Sequence, residues 1–68
     1  MRLKELREKR GISQLKLATD LHLNQNSISR YETGAREADY ELLISFADYF
    51  NVSIDYLLER TDNPTVNR

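Results

Sequence analysis

The chain contains no cysteine, so neither a disulfide framework nor a cysteine-ligated zinc site holds it together, and a reducing compartment suits it. It has no apolar run longer than three residues, far short of the roughly 20 needed to cross a bilayer. Its first ten residues are charged rather than signal-like, so we expect a soluble, cytoplasmic protein with no membrane partner. The catalytic inventory is thin as well. There is one histidine and no glycine-rich phosphate loop, and nothing suggests a catalytic constellation, a metal site or a cofactor. With 68 residues the chain is one domain, and folding at that size buries about 60% of the surface exposed by the unfolded chain, which implies modest stability.

A basic excess is also missing, since the net charge is −1. Taken alone, this argues against a nucleic-acid binder. The distribution reverses the reading: residues 1–36 hold eight Lys/Arg against four Asp/Glu, and residues 37–68 hold two against seven. Such asymmetry is expected if one face meets phosphate and the other points away. Chance segregation of solvated charges is the alternative.

Glycine and proline are so scarce that Gly11, Gly34 and Pro64 punctuate the chain. Arg2 to Arg10 reads as a first helix with Leu3 and Leu6 inward, closed by Gly11 as a left-handed cap. Ser13 is a good N-cap for a second helix, in which Leu17, Ala18 and Leu21 share a face, and Asn24 caps a third that runs toward Gly34. Asp39 caps a fourth, Tyr40 to Phe50, and Ser53 a fifth, Ile54 to about Arg60. The predicted fold is all-α, five short helices over residues 1–60. Residues 61–68, with only Val66 to bury, are expected to form a flexible tail or linker.

Residues Gln14 to Tyr31 have the pattern of a helix-turn-helix: two short helices, a turn of about three residues, small Ala18 at the crossing and Ile28 facing back. A helical wheel of the third helix puts Ile28 and Tyr31 on one side and Asn26, Ser29, Arg30 and Thr33 on the other. That outer face is polar and free of acid. Asn pairs in bidentate fashion with adenine and Arg with guanine, which suits base reading in the major groove, although a merely solvated face has the same composition. Gln25 and Ser27 flank the face, within reach of bases or phosphates. Glu32 instead points about 40° from Ile28, where a carboxylate needs a partner.

The segment SQLKLATDLHLNQNSISRYETG, with the preceding LRE and the following ADYFNVSIDYLL, resembles the phage lambda-type repressor and Cro family over about residues 2–60. The resemblance implies a compact five-helix fold that binds operator DNA, usually as a dimer, to regulate transcription. By position it implies base contacts for Gln25, Asn26, Ser29 and Arg30, and phosphate contacts for Gln14 and Arg36. Ser27, which flanks the outer face, and Thr33, which lies on it, are expected as further backbone contacts. Gln14 would also brace the recognition helix. Arg7 matches a position that forms a buried ion pair with Glu32 in some members, so an Arg7–Glu32 bridge with a structural role is predicted. His22 departs from the family, which usually has glycine at this turn, and is predicted to be left-handed. Lys9 and Arg10 stand near the end of the first helix as phosphate contacts or as solvated charges.

In the fourth helix Leu43, Phe46, Ala47 and Phe50 form a core stripe, but Tyr40, Leu42, Ile44 and Tyr49 widen the apolar arc to roughly 220°, where one core needs about 100°. We expect both the fifth helix and a second subunit to cover it, with Leu42, Ile44 and Tyr49 as the dimer surface. A homodimer on a palindromic double-stranded operator is the expected assembly, and a repressor the expected role. The rival reading is an antitoxin-type or other protein-interaction module, whose partner would meet the acidic, apolar second half. Whether the chain is a whole protein or part of a longer repressor stays open.

Overall fold

The computed structural model describes residues 1–66. Five helices, and no strand among the described residues, follow in order: α1 Leu3–Lys9, α2 Gln14–Asp20, α3 Gln25–Thr33, α4 Tyr40–Phe50 and α5 Ile54–Leu57. Four begin at an extended residue whose side-chain oxygen accepts from a backbone N–H three residues on. Ser13 accepts from Lys16, Asn24 from Ser27, Asp39 from Leu42 and Ser53 from Tyr56, each satisfying an N–H the helix itself leaves unpaired.

Four helices also end alike. The residue just past the last turn is left-handed, at Gly11 (φ 72°), His22 (58°), Asn51 (53°) and Glu59 (65°). The next N–H then reaches the carbonyl five residues back: Ile12 to Arg7, Leu23 to Ala18, Val52 to Ala47 and Arg60 to Asp55, at 3.3, 2.8, 2.9 and 2.8 Å. Glu59 therefore stops α5 at Leu57, earlier than the expected end near Arg60. His22 takes the left-handed conformation predicted for it. Because a Cβ in that region costs about 1–2 kcal/mol, His22→Gly is expected to raise stability by about 1 kcal/mol after the added freedom of the unfolded chain is offset. Thermal melts check this, with Tm rising by about 4–8 °C.

The core is built from every element. Leu3 and Leu6 of α1, Leu17 and Ala18 of α2, Ile28 and Tyr31 of α3, Phe46, Ala47 and Phe50 of α4, Val52, and Leu57 of α5 are all buried. Tyr31 meets Phe46 edge to face, ring centres 5.9 Å apart, which ties the third helix to the fourth. Arg2 joins the two ends of the fold. Its N–H donates to the Leu57 carbonyl, its Nε to the Tyr56 carbonyl, and its Nη2 to the Thr61 carbonyl and to Asp62. Thr61 to Val66 run back along α5, where the Ser53 N–H donates to the Pro64 carbonyl at 3.1 Å. The flexible tail expected for residues 61–68 includes 67 and 68, which lie outside the described residues.

A second clasp crosses from α2 to α4. The Tyr49 hydroxyl donates to Asp20 Oδ2 at 2.6 Å, and Lys16 Nζ donates to Asp20 Oδ1 at 3.0 Å. These bonds, the tyrosine's first, hold the Asp20 carboxyl below the usual aspartate range, while the same bond pushes Tyr49 up. A carboxyl with a lowered folded pKa stabilises the fold above its ordinary value, about 4, and loses that contribution as pH falls through the lowered value. Asp20→Asn should therefore flatten the acid limb of a plot of Tm against pH. An unchanged acid limb would show that the clasp adds nothing.

Candidate nucleic-acid interface

The α2–α3 pair packs through small, fully buried Ala18 and through Leu17 and Ile28, buried with it in one core. A hydrogen-bonded cluster then fixes α3 from behind. Arg7 Nε and Nη2 donate to Glu32 Oε2 and Oε1 at 2.6 and 3.2 Å, a bidentate pair, and Arg7 Nη1 donates to the Ile12 carbonyl at 2.9 Å. Gln14 Nε2 adds a third bond to Glu32, at 3.0 Å. The Glu32 side chain is 2% exposed and that of Arg7 12%. The Glu32 hydrogen bond raises the Arg7 pKa further, so the guanidinium is charged throughout the working range. One carboxylate of α3 is thus tied to both α1 and α2.

The opposite face of α3 is open. Gln25, Asn26, Arg30 and Thr33 are exposed, while Ser27 and Ser29 are half-buried. The Ser27 N–H is taken by the Asn24 cap, and the Thr33 hydroxyl turns back to the Arg30 carbonyl at 3.3 Å. Asn26 and Arg30, four residues apart, stand on one stripe about one turn from each other. Arg36 lies in the loop after α3 with its guanidinium 5.8 Å from the Tyr31 ring centre.

The cations of the first half divide into two sets. Arg2, Arg7 and Lys16 are in ion pairs with Asp62 and Glu5, Glu32, and Asp20. Arg10 donates to the Tyr49 carbonyl at 2.8 Å and lies over the Tyr49 and Phe50 rings. Lys4, Lys9, Arg30 and Arg36 have no carboxylate partner within ion-pair distance among the described residues. Two of these four flank or lie on the outer face of α3.

Leu42, Ile44 and Tyr49 are not brought into one patch. Leu42 is half-buried against the core, and Tyr49 is held by Asp20, by Arg10 and edge to face by Phe50. Two residues along a helix turn by about 200°, so Ile44 looks the other way from Leu42. The large apolar side chains that α4 leaves open are Ile44 and Tyr40, the latter 85% exposed. Sequence reasoning also passed over the Asp20–Tyr49 clasp and exposed Leu15 beside Gln14. A tyrosine and an aspartate 29 residues apart leave no local signal, whereas Leu15, off the Leu17 and Ala18 face, could have been found from the wheel.

The helix-turn-helix family model matches residues 3–57. The chain is 39% identical over 61 residues to the HTH-type transcriptional regulator ImmR of Bacillus subtilis (strain 168), covering 90% of this chain and 48% of that protein. It is 36% identical over 64 residues to the uncharacterized HTH-type transcriptional regulator YqaE of the same organism, 94% of this chain and 55% of the relative. The SPbeta prophage-derived uncharacterized HTH-type transcriptional regulator YonR, from the same strain, is 35% identical over 60 residues, 88% and 56% of the two chains. The chain spans about half the length of the curated relatives it matches. No solved structure gives a significant match. With five helices in the expected order, the brace behind α3 and these relatives, the chain belongs to the lambda-repressor-like helix-turn-helix family of DNA-binding transcriptional regulators.

Proposed function

We propose that the chain binds double-stranded DNA sequence-specifically, with α3 in the major groove, and acts as a repressor by occupying its operator. The observation that carries this reading is the exposed, acid-free face of α3, presented by a helix whose inner side is fixed by Glu32 to Arg7 and Gln14. Arg30 would read guanine through its O6 and N7, and Asn26 or Gln25 adenine through its N6 and N7. Ser29, half-buried, would make a shorter-range contact from the same face. Phosphate contacts would come from Arg36, from the hydroxyls of Ser27 and Thr33, and from the second N–H of the Gln14 amide, whose first is bonded to Glu32.

Two copies would sit on half-sites about 34–36 Å apart, on one face of a palindromic duplex. Tyr40, which follows the loop that carries Arg36 and is 85% exposed, would contribute to the contact between copies. A cytoplasmic setting fits this function.

The test is titration of a duplex enriched from random sequence, followed by fluorescence anisotropy at several salt concentrations. Affinity should fall as salt rises, and Arg36→Ala should weaken binding evenly across sequences while reducing the salt slope by about 1. Salt-independent binding, or an Arg36→Ala variant with unchanged slope, would remove the phosphate role from that loop.

A further inference from the structure

The second half of the chain holds seven of the eleven acids and two of the ten cations. The structure places part of that charge around an apolar groove between α4 and α5. Ile44, Val52 and Ile54 line it, Asp48 and Asp55 stand among them, and neither lysine nor arginine is present in the lining among the described residues. Ile44 is 47% and Ile54 38% exposed, so two branched aliphatic side chains face open space in a domain with little apolar surface to spare. Val66 of the tail completes the lining. The lining includes no residue of α1, α2 or α3, so the groove is distinct from the surface assigned to DNA.

We propose that this groove docks a basic amphipathic helix of another protein, its apolar residues on Ile44 and Ile54 and its Lys or Arg side chains against Asp48 and Asp55. Charge decides between the possible occupants. A second copy would bring the same lining, so a contact between two such faces would offer Asp48 and Asp55 no cation among the described residues and would bring like charges near one another. A cationic helix meets two carboxylates with no lysine or arginine among the described lining residues, while its apolar stripe covers the exposed isoleucines. Such a partner would give the regulator an input separate from DNA occupancy. Docking in this groove does not require operator binding, and peptide binding is measured in the absence of DNA.

The test uses three synthetic helical peptides that share one leucine stripe and differ only in their flanking residues: lysine, glutamate or serine. Binding to the purified chain is measured by calorimetry. The lysine peptide should bind at least about tenfold tighter than the glutamate peptide, a difference of about 1.4 kcal/mol. Ile44→Ser should weaken the lysine peptide about tenfold. The double variant Asp48→Lys/Asp55→Lys, which alters only exposed side chains, should reverse the preference toward glutamate, and circular dichroism checks that each variant is folded. Failure of the lysine peptide to bind would overturn the proposal. So would binding that ignores both sets of substitutions, and so would sedimentation showing that Ile44→Ser converts a dimer of this chain to a monomer.

Discussion

Arg7→Ala should cost about 3–5 kcal/mol of folding stability, because it leaves the nearly buried Glu32 carboxylate with a single remaining side-chain donor, Gln14. A chain of this size has roughly 3–10 kcal/mol to lose, so the variant should forfeit a third or more of its stability. The pair itself need not be a net source of stability. Replacing both members by apolar residues, as in Arg7→Met/Glu32→Met, removes the desolvated charges together and should recover most of the loss. The two variants separate the cost of an orphaned charge from the worth of the bridge. Chemical denaturation of each measures it. An Arg7→Ala protein with wild-type stability would mean that Glu32 finds water or another donor, and that α3 is not fixed by this cluster.

Arg30→Ala should act on DNA and leave the fold alone, since Arg30 is exposed and has no ion-pair partner among the described residues. Loss of one bidentate guanine contact costs about 1–3 kcal/mol per half-site and relaxes the preference at the base it reads. With two half-sites the loss would be felt twice. Thermal stability should change by less than about 0.5 kcal/mol, as for other surface substitutions away from packed or charged clusters. Contrast with Arg36→Ala is the informative comparison: the loop arginine should lower affinity for all sequences alike, and the helix arginine should change which sequences are preferred. If Arg30→Ala kept the wild-type base preference, Arg30 would not face the bases and α3 would lie differently on the duplex.

Much of this was legible in the sequence because the signals are local. Ser13, Asn24, Asp39 and Ser53 mark helix starts by residue type, and each caps as its type suggests. The period of Leu17, Ala18, Ile28 and Tyr31 gave the inner face of the helix-turn-helix, and a carboxylate on that inner side pointed to a partner for Glu32. Where the signal depended on distant packing, legibility failed. The end of α5 at Leu57 rests on Glu59 being left-handed, and glutamate carries no such signal. Tyr49 read as spare apolar surface on a wheel of one helix, but its hydroxyl meets Asp20 of another. Arg10 looked like a solvated or phosphate-bound cation, and instead lies over Tyr49 and Phe50 with its guanidinium on a backbone carbonyl. For Tyr49 and Arg10 a helical wheel describes one helix, and the answer lay on its neighbour.

Selection of bound duplexes from a random pool, by the purified wild-type chain, tests most directly whether the outer face of α3 reads base sequence in two half-sites. A palindromic consensus is predicted, with half-site centres about 34–36 Å apart along the helix axis, one helical turn. A pool that remains random after repeated rounds, although it binds, would show attraction to phosphate without sequence reading and would contradict the account.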